Sequence, residues 1–127
     1  MTPFGKRIRE HRNARGITLK QMAADLGVSS AYFSALEHGH RGRPGSGLVA
    51  QICGYFGLMW DESEEVSQLA DLSHPKVTVD TSGLNPKATE LANLLANHVT
   101  EMDEETLDWM IAEVKLRVGS QPSGPTH

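Results

Sequence analysis

A chain of 127 residues, of which 39% are hydrophobic, is long enough for one small domain with an appendage. No apolar run approaches the ~18 residues of a membrane-spanning helix, and the start MTPFGKRIRE lacks the apolar centre of a signal peptide. A single cysteine excludes an intrachain disulfide, so we expect a cytoplasmic protein without membrane contact.

The net charge of −4 is unevenly distributed along the chain. Residues 1–47 hold eight Lys and Arg side chains against three Asp and Glu, whereas residues 48–127 hold four against thirteen. A basic half attracts nucleic-acid phosphates, and an acidic half does not. The asymmetry therefore favours a DNA-facing surface followed by a separate surface for a partner.

A first helix is predicted over residues 4–15, where Phe4 and Ile8 lie one turn apart and Gly16 marks the end. Residues 17–39 then predict two short helices joined by a tight turn. Two such helices at a steep angle are the ingredients of a helix-turn-helix.

Capping residues set the limits of these two helices. Thr18 and Ser29 are predicted N-caps, and Gly27 supplies the left-handed residue that ends the first helix. Apolar residues at helical spacing give each helix one buried face: Leu19, Met22, Ala23 and Leu26 on the first, Phe33 and Leu36 on the second.

This pattern resembles the DNA-binding domain of the Xre family, also called lambda-repressor-like, over roughly residues 4–60. The matching residues are Thr18, Met22-Ala23, Leu26-Gly27-Val28-Ser29, Phe33-Ser34 and Leu36-Glu37-x-Gly39. The resemblance implies that Arg12 and Glu37 form a structural ion pair. His11 departs from the family, whose residue there is usually apolar. We expect a half-buried His11 at a packing edge, with a pH sensor as the alternative.

Two more helices complete this domain in the prediction. Residues 47–56 carry a core stripe of Val49, Ile52, Cys53 and Phe56, so Cys53 is interpreted as a buried hydrophobe and not as a nucleophile or ligand. The next helix is predicted to start at Asp61, with Glu64 as its capping-box partner, and to point Val66, Leu69, Ala70 and Leu72 inward.

The remaining residues predict a different organisation. Val77 and Val79 alternate between Pro75 and Gly83, which indicates a short extended segment in a linker. Asn85-Pro86 opens a further helix, and Asp103 caps a last one that ends at Val118. Trp109 and Leu116, seven residues apart, lie on a separate face of that helix.

The predicted fold class is therefore all-α. A five-helix lambda-repressor-like helix-turn-helix domain over residues 1–73 precedes a linker over 74–85. A C-terminal helical hairpin follows over 86–118, and residues 119–127 are predicted to be a disordered tail because they have no means of packing.

The predicted DNA-binding residues lie on the first turn of the second helix, on the recognition helix at 29–38 and on the loop after it. They are Thr18, Lys20 and Gln21; Ser29, Ser30, Ala31, Tyr32, Ser34, Ala35 and His38; and Arg41 and Arg43. The groove-facing side chains are short, which predicts modest base readout. Arg41-Gly-Arg-Pro44 resembles an AT-hook core for the minor groove, and the alternative is that both arginines only contact phosphates.

The sequence contains no catalytic set, no metal-ligand spacing and no phosphate-binding Gly motif, so we expect neither an enzyme nor a cofactor. The resemblance implies a bacterial transcriptional regulator, expected to be a repressor. It would bind double-stranded DNA as a homodimer through Val77, Val79, Trp109 and Leu116. The alternative is an antitoxin-like protein whose acidic C-terminal half neutralises a protein partner while the N-terminal half represses its own operon.

Overall fold

The computed structural model describes residues 1–119, and all regular secondary structure in them is helical, which confirms the predicted all-α class. The seven α-helices of these residues are α1 (Pro3–Arg15), α2 (Leu19–Leu26), α3 (Ser30–Glu37), α4 (Ser46–Phe56), α5 (Trp60–Asp71), α6 (Pro86–His98) and α7 (Glu104–Gly119). A 3-10 turn, Val99–Glu101, follows α6. The predicted tail lies outside the described residues, apart from Gly119 at the end of α7.

The chain divides into two compact units, of which the first is Met1–Thr78 and the second begins at Val79. This division falls inside the segment that the sequence analysis treated as a linker. Within residues 1–119, no helix combines the length and the apolar character that crossing a membrane would require.

The core of the first unit is built from one apolar face of each of its five helices. Phe4, Ile8, Phe33, Ile52 and Val66 are completely buried. Around them lie Met22, Ala23, Val49, Cys53, Phe56 and Ala70, so the predicted core stripes of α1, α2 and α4 are confirmed. Each large side chain of this kind stabilises the fold by roughly 1.5–3 kcal/mol relative to exposure.

The N-terminus of α1 packs unusually closely on the C-terminus of α3. Thr2 donates to the Glu37 carbonyl twice, from its amide at 3.0 Å and from its hydroxyl at 3.2 Å. A Cβ atom on Gly5 would lie 2.1 Å from the same carbonyl oxygen, a distance that real Cβ atoms do not reach. Only glycine therefore fits at this crossing.

Two details of α5 differ from the prediction. The helix begins at Trp60 after Met59, which makes no side-chain cap, so Asp61 does not cap it. The inward position of Leu72 is also wrong, because α5 ends at Asp71 and Leu72 is 63% exposed. Ser73 is buried instead, where its hydroxyl accepts from the Phe4 amide at 2.9 Å and donates to the Leu69 carbonyl at 2.6 Å.

The second unit contains α6 and α7. Asn85 caps α6 by accepting from the Lys87 amide at 2.9 Å, and Asp103 accepts from the Thr106 amide at 2.8 Å, so both predicted caps are confirmed. Within residues 79–118 no side chain is buried, although both helices carry many apolar residues. The described part of this unit therefore has apolar faces without a core of its own.

Candidate nucleic-acid interface

Caps at both ends fix α2, α3 and the turn between them. Thr18 Oγ1 accepts from the Gln21 amide at 3.0 Å, and Ser29 Oγ accepts from the Tyr32 amide at 3.0 Å. Gly27 closes α2 in the left-handed conformation, with φ 75°. These local interactions confirm the predicted caps and turn, and they limit each helix to eight residues.

Buried side chains beneath the turn decide which face of α3 points outward. Met22 and Ala23 of α2 are buried together with Phe33 and Leu36 of α3. The small Ala23 lets the two helices approach closely. Because Phe33 and Leu36 must stay in the core, the opposite side of α3 is left for a ligand.

The outward side of α3 carries short side chains. Ser30 and Ala31 are exposed, whereas Ser34 and Ala35 are half-buried. His38 is exposed just after the helix, and its Nδ1 lies 2.9 Å from the Ser34 carbonyl oxygen. Such a surface offers hydroxyl and methyl groups and lacks a long bidentate side chain.

Tyr32 and Arg41 come together at the edge of this surface. The guanidinium carbon of Arg41 lies 5.4 Å from the centre of the Tyr32 ring, within the range of a cation–π interaction. Tyr32 is half-buried, so its ring is a firm support, and Arg41 remains exposed. The contact holds a positive charge beside the first turns of α3.

Arg43 follows Arg41 in the same loop but has a different partner. Its Nη1 lies 2.8 Å from Asp71 Oδ1 at the end of α5. Both side chains are more than half exposed, so the pair contributes little to stability, about 0.2–1 kcal/mol. A phosphate would have to compete with Asp71 for this guanidinium, whereas Arg41 faces no such competition from its aromatic partner.

A polar network joins α2 to α4. Gln21 Nε2 donates to both oxygens of Asp25, at 3.1 and 3.3 Å, and the Tyr55 hydroxyl donates to Asp25 Oδ2 at 2.6 Å. The bonds from Tyr55 and Gln21 lower the pKa of the Asp25 carboxyl, and the same bond to Asp25 raises the pKa of the Tyr55 phenol. Asp25 thus holds the Gln21 side chain in one orientation.

Arg12 and Glu37 form a buried ion pair between α1 and the end of α3. Arg12 Nη2 lies 3.1 Å from each oxygen of the Glu37 carboxylate, and the Glu37 side chain is completely buried. Burial raises the pKa of Glu37, and the positive charge of Arg12 opposes that rise. The pair therefore fixes the C-terminal end of α3 at an electrostatic cost.

His11 lies at the edge of α1 that packs on α4. It is half-buried, and its ring stacks on Phe56 with 5.4 Å between the ring centres. Burial and then the neighbouring charge of Arg15 lower the pKa of His11. The position matches the predicted packing edge, and the imidazole replaces the apolar side chain expected there.

The architecture of residues 3–66 matches a known family model, described as a helix-turn-helix domain. This match covers 64 of the 127 residues and reaches from α1 into α5. The chain belongs to the helix-turn-helix domain family.

The helix-turn-helix chain is also similar to the uncharacterized HTH-type transcriptional regulator RghRB of Bacillus subtilis (strain 168). The two are 42% identical over 52 residues. Those residues are 41% of this chain and only 37% of the relative, so the chain spans well under half the length of that protein. No solved structure matches the chain.

The residues predicted to contact DNA lie on or beside α2 and α3 or in the loop after α3. Those at the start of α2 (Thr18, Lys20 and Gln21) and in the loop (Arg41 and Arg43) are exposed, as are Ser29, Ser30, Ala31 and His38. Tyr32, Ser34 and Ala35 are half-buried.

The predicted interface did not include Asp25 or Tyr55, which hold Gln21 in place. Asp25 stands four residues after Gln21 on one helix, which is a readable signal. Tyr55 is thirty residues further along, so only the fold reveals its contact.

The residues predicted to form a dimer interface are all exposed. Trp109 and Leu116 of α7 are 65% and 68% exposed, and Val77 and Val79 are similarly open to solvent. Both valines lie in irregular backbone, and residues 1–119 contain no β-strand. Large apolar side chains in this number need a cover if they are to be stable in water.

Proposed function

We propose that this helix-turn-helix protein is a sequence-specific, Xre-type transcriptional regulator that acts in the bacterial cytoplasm. It binds a two-fold operator as a homodimer and represses transcription. α3 enters the major groove, and the start of α2 contacts the backbone. The observation that carries the proposal is the capped α2–α3 pair, whose buried side leaves the Ser30–Ala31 surface of α3 exposed.

The charges around α3 support this docking. Lys20 on α2 and Arg41 in the loop are exposed on either side of the recognition helix in the chain. Cations at these places neutralise phosphates and orient α3 without reading sequence. Five of the eight acidic residues of the first unit lie in α5. Of the three in α1 to α3, Glu37 is buried against Arg12, Glu10 pairs with Arg7, and Asp25 accepts from Gln21 and Tyr55.

Direct readout is proposed to be modest. Ser30 and Ser34 offer hydroxyl groups, and Ala31 and Ala35 offer methyl contact with thymine. Half-site spacing and the deformability of the operator then supply much of the discrimination. The similarity to a protein named as an HTH-type transcriptional regulator supports the proposed regulatory function as a whole.

The test is binding-site selection from random DNA, followed by affinity measurements on the selected operator. Ala31→Glu places a negative charge on the proposed groove surface and should weaken binding at least 100-fold, since it repels phosphates and occupies the groove. Ala14→Glu is the matched control, because Ala14 is also an exposed helical alanine but lies on α1. Equal losses in both variants would refute the proposed docking surface.

A second measurement addresses direct readout alone. If Ser30 and Ser34 read bases, the variant Ser30→Ala/Ser34→Ala should lose part of its preference for the operator over scrambled DNA. Its affinity for scrambled DNA should stay unchanged, because phosphate contacts remain. An unchanged preference would show that this face does not read the sequence directly.

The antitoxin-like alternative differs in the partner that covers α6 and α7, which would be a different protein and not a second copy of this chain. Sedimentation of the purified chain separates the two, because a regulator of the proposed kind forms a stable dimer by itself. A monomer that assembles only with a different protein would favour the alternative.

A further inference from the structure

The last helix, α7, is apolar on two nearly opposite sides. Leu107, Ile111, Val114 and Val118 follow one another at steps of four, three and four residues and form the first side. Trp109, Ala112 and Leu116, at steps of three and four, form the second side, which we call the Trp109 face. Both patterns are those of a coiled-coil seam.

Among residues 79–118, neither side of α7 is fully covered. Trp109 and Leu116 are the most open large side chains of the helix apart from Val118, and Ile111 and Val114 are also exposed. Leu107 and Met110, on the other side, are half-buried. A helix that is apolar on opposite sides is stable in water only when both sides are packed.

Charged residues beside the Trp109 face indicate what covers it. Asp108 and Lys115 are seven residues apart and share one edge of the face, whereas Glu113 lies at the other edge. Glu113 also pairs with Arg117 within the helix, at 3.0 Å between Oε2 and Nε. Edge residues of this kind set the partner and the orientation of paired helices.

We infer that α7 pairs through its Trp109 face with α7 of a second copy, and that the two helices run antiparallel. In this arrangement Asp108 of each copy lies beside Lys115 of the other, so symmetry gives two ion pairs. The large Trp109 of each copy packs over the small Ala112 of the other, which fills the seam evenly. The inference rests on the homodimer of the proposed function and gives it a specific interface.

The parallel arrangement is unfavourable for both charge and packing. It would bring Asp108 of one copy beside Glu113 of the other, which places two negative charges together. It would also put Trp109 against Trp109 and Ala112 against Ala112, so the seam would be too wide at one level and empty at the next. The acidic residues in the first half of α7 would also lie beside the same residues of the second copy, which brings like charges together.

Charge reversal tests the predicted contacts in the full-length chain. We expect Asp108→Lys alone and Lys115→Asp alone each to weaken dimerisation about tenfold by sedimentation equilibrium, because each creates two like-charge pairs. The double variant Asp108→Lys/Lys115→Asp should return to within about threefold of the original affinity. A double variant that is weaker than both single variants would overturn the antiparallel contact.

Disulfide trapping then distinguishes the orientations. A mixture of Asp108→Cys chains with Lys115→Cys chains should give a crosslinked heterodimer, identified by peptide mass so that Cys53 is not confused with it. A mixture of Asp108→Cys with Glu113→Cys serves as the matched probe of the parallel form and should give none. Crosslinking in the second mixture only, or in neither, would overturn the inference. DNA binding through α3 could still be intact in that case, so the proposed function is tested separately.

Discussion

Glu37 and Arg12 link the end of α3 to α1, and both side chains are almost completely removed from water. Taking two charges out of water is costly, and their mutual attraction offsets that cost only while both are present. Their value to the protein therefore lies in fixing the position of α3 more than in adding net stability.

A double-mutant cycle tests this view. Arg12→Met should lower the free energy of unfolding by about 3–5 kcal/mol, because it leaves the buried Glu37 carboxylate without its partner. Arg12→Met/Glu37→Leu should be more stable than either single variant, since no buried charge remains. Lys6→Met, at an exposed position of α1, is the control for loss of charge alone. Additive losses in denaturant unfolding would contradict a coupled pair.

The pKa of Glu37 gives a prediction for stability against pH. Burial raises the pKa in the folded protein above the ordinary value of 4.5, so the folded state binds this proton more tightly than the unfolded chain. The stability gained by protonation is complete below the unfolded pKa and is lost as the pH rises through the folded one. The unfolding free energy of the native chain minus that of Glu37→Gln should therefore increase as the pH falls through that window.

Asp25 provides the opposite sign in the same experiment. Bonds from Tyr55 and Gln21 lower its pKa below the ordinary 3.8, so its contribution is present above the unfolded pKa and is lost as the pH falls through the folded value. The unfolding free energy of the native chain minus that of Asp25→Asn should decrease on acidification. A difference that does not change with pH would mean that the network of Tyr55, Asp25 and Gln21 does not form in solution.

Among the helices, the crossing of α1 and α3 is the contact with the least room. Gly5→Ala should destabilise the protein by at least about 1–3 kcal/mol, because the new methyl group meets the Glu37 backbone, which cannot move aside as a side chain could. Gly54→Ala is the control, since Gly54 is helical and has open space around its Cα. That change should stabilise α4 by about 0.5–1 kcal/mol. Thermal unfolding of both variants would show shifts of opposite sign.

The two arginines of the loop after α3 have different partners, Tyr32 for Arg41 and Asp71 for Arg43. Arg41→Ala should weaken DNA binding on every sequence and reduce the salt slope by roughly one unit, as expected for one lost phosphate contact. Arg43→Ala should have a smaller effect, because Arg43 already pairs with Asp71. Asp71→Ala is the matched control. It removes the partner of Arg43, so the freed guanidinium should contact a phosphate and DNA binding should become tighter.

The same loop allows a direct test of minor-groove reading. If both arginines enter the minor groove, replacing flanking A·T pairs of the operator by G·C should weaken binding, because the guanine amino group obstructs the groove. Inosine·C pairs, which lack that group, should then restore affinity. Equal affinity for all three operators would leave phosphate contact as the role of the loop.

Local signals explain which helix limits could be predicted. Thr18, Ser29, Asn85 and Asp103 cap neighbours within three residues, so their roles can be read from the sequence. The roles of Ser73 and Gly5 could not be predicted from the sequence, since both depend on residues more than thirty positions away. Likewise, the failure at Leu72 came from extending the helical repeat one residue beyond the end of α5.

For the whole molecule, the two units predict a division of tasks. The first unit contains the buried core and the helix-turn-helix, so a chain of residues 1–78 should fold cooperatively and remain monomeric. Its operator affinity should fall at least 100-fold, because one half-site alone offers half of the contacts. Sedimentation and operator titration of this truncated chain would check both statements. A truncated chain that is still a dimer would place the interface in the first unit.

The absence of any buried side chain in residues 79–118 has a consequence for how the protein responds to its own abundance. Helices without a core gain their stability from association, so their order depends on concentration by mass action. In dilute solution α6 and α7 should exchange amide hydrogens rapidly and be cleaved early by proteases, while α1 to α5 stay protected. In the proposed dimeric regulator, DNA binding would therefore rise more steeply than in proportion to the concentration of the chain, because two chains must associate first.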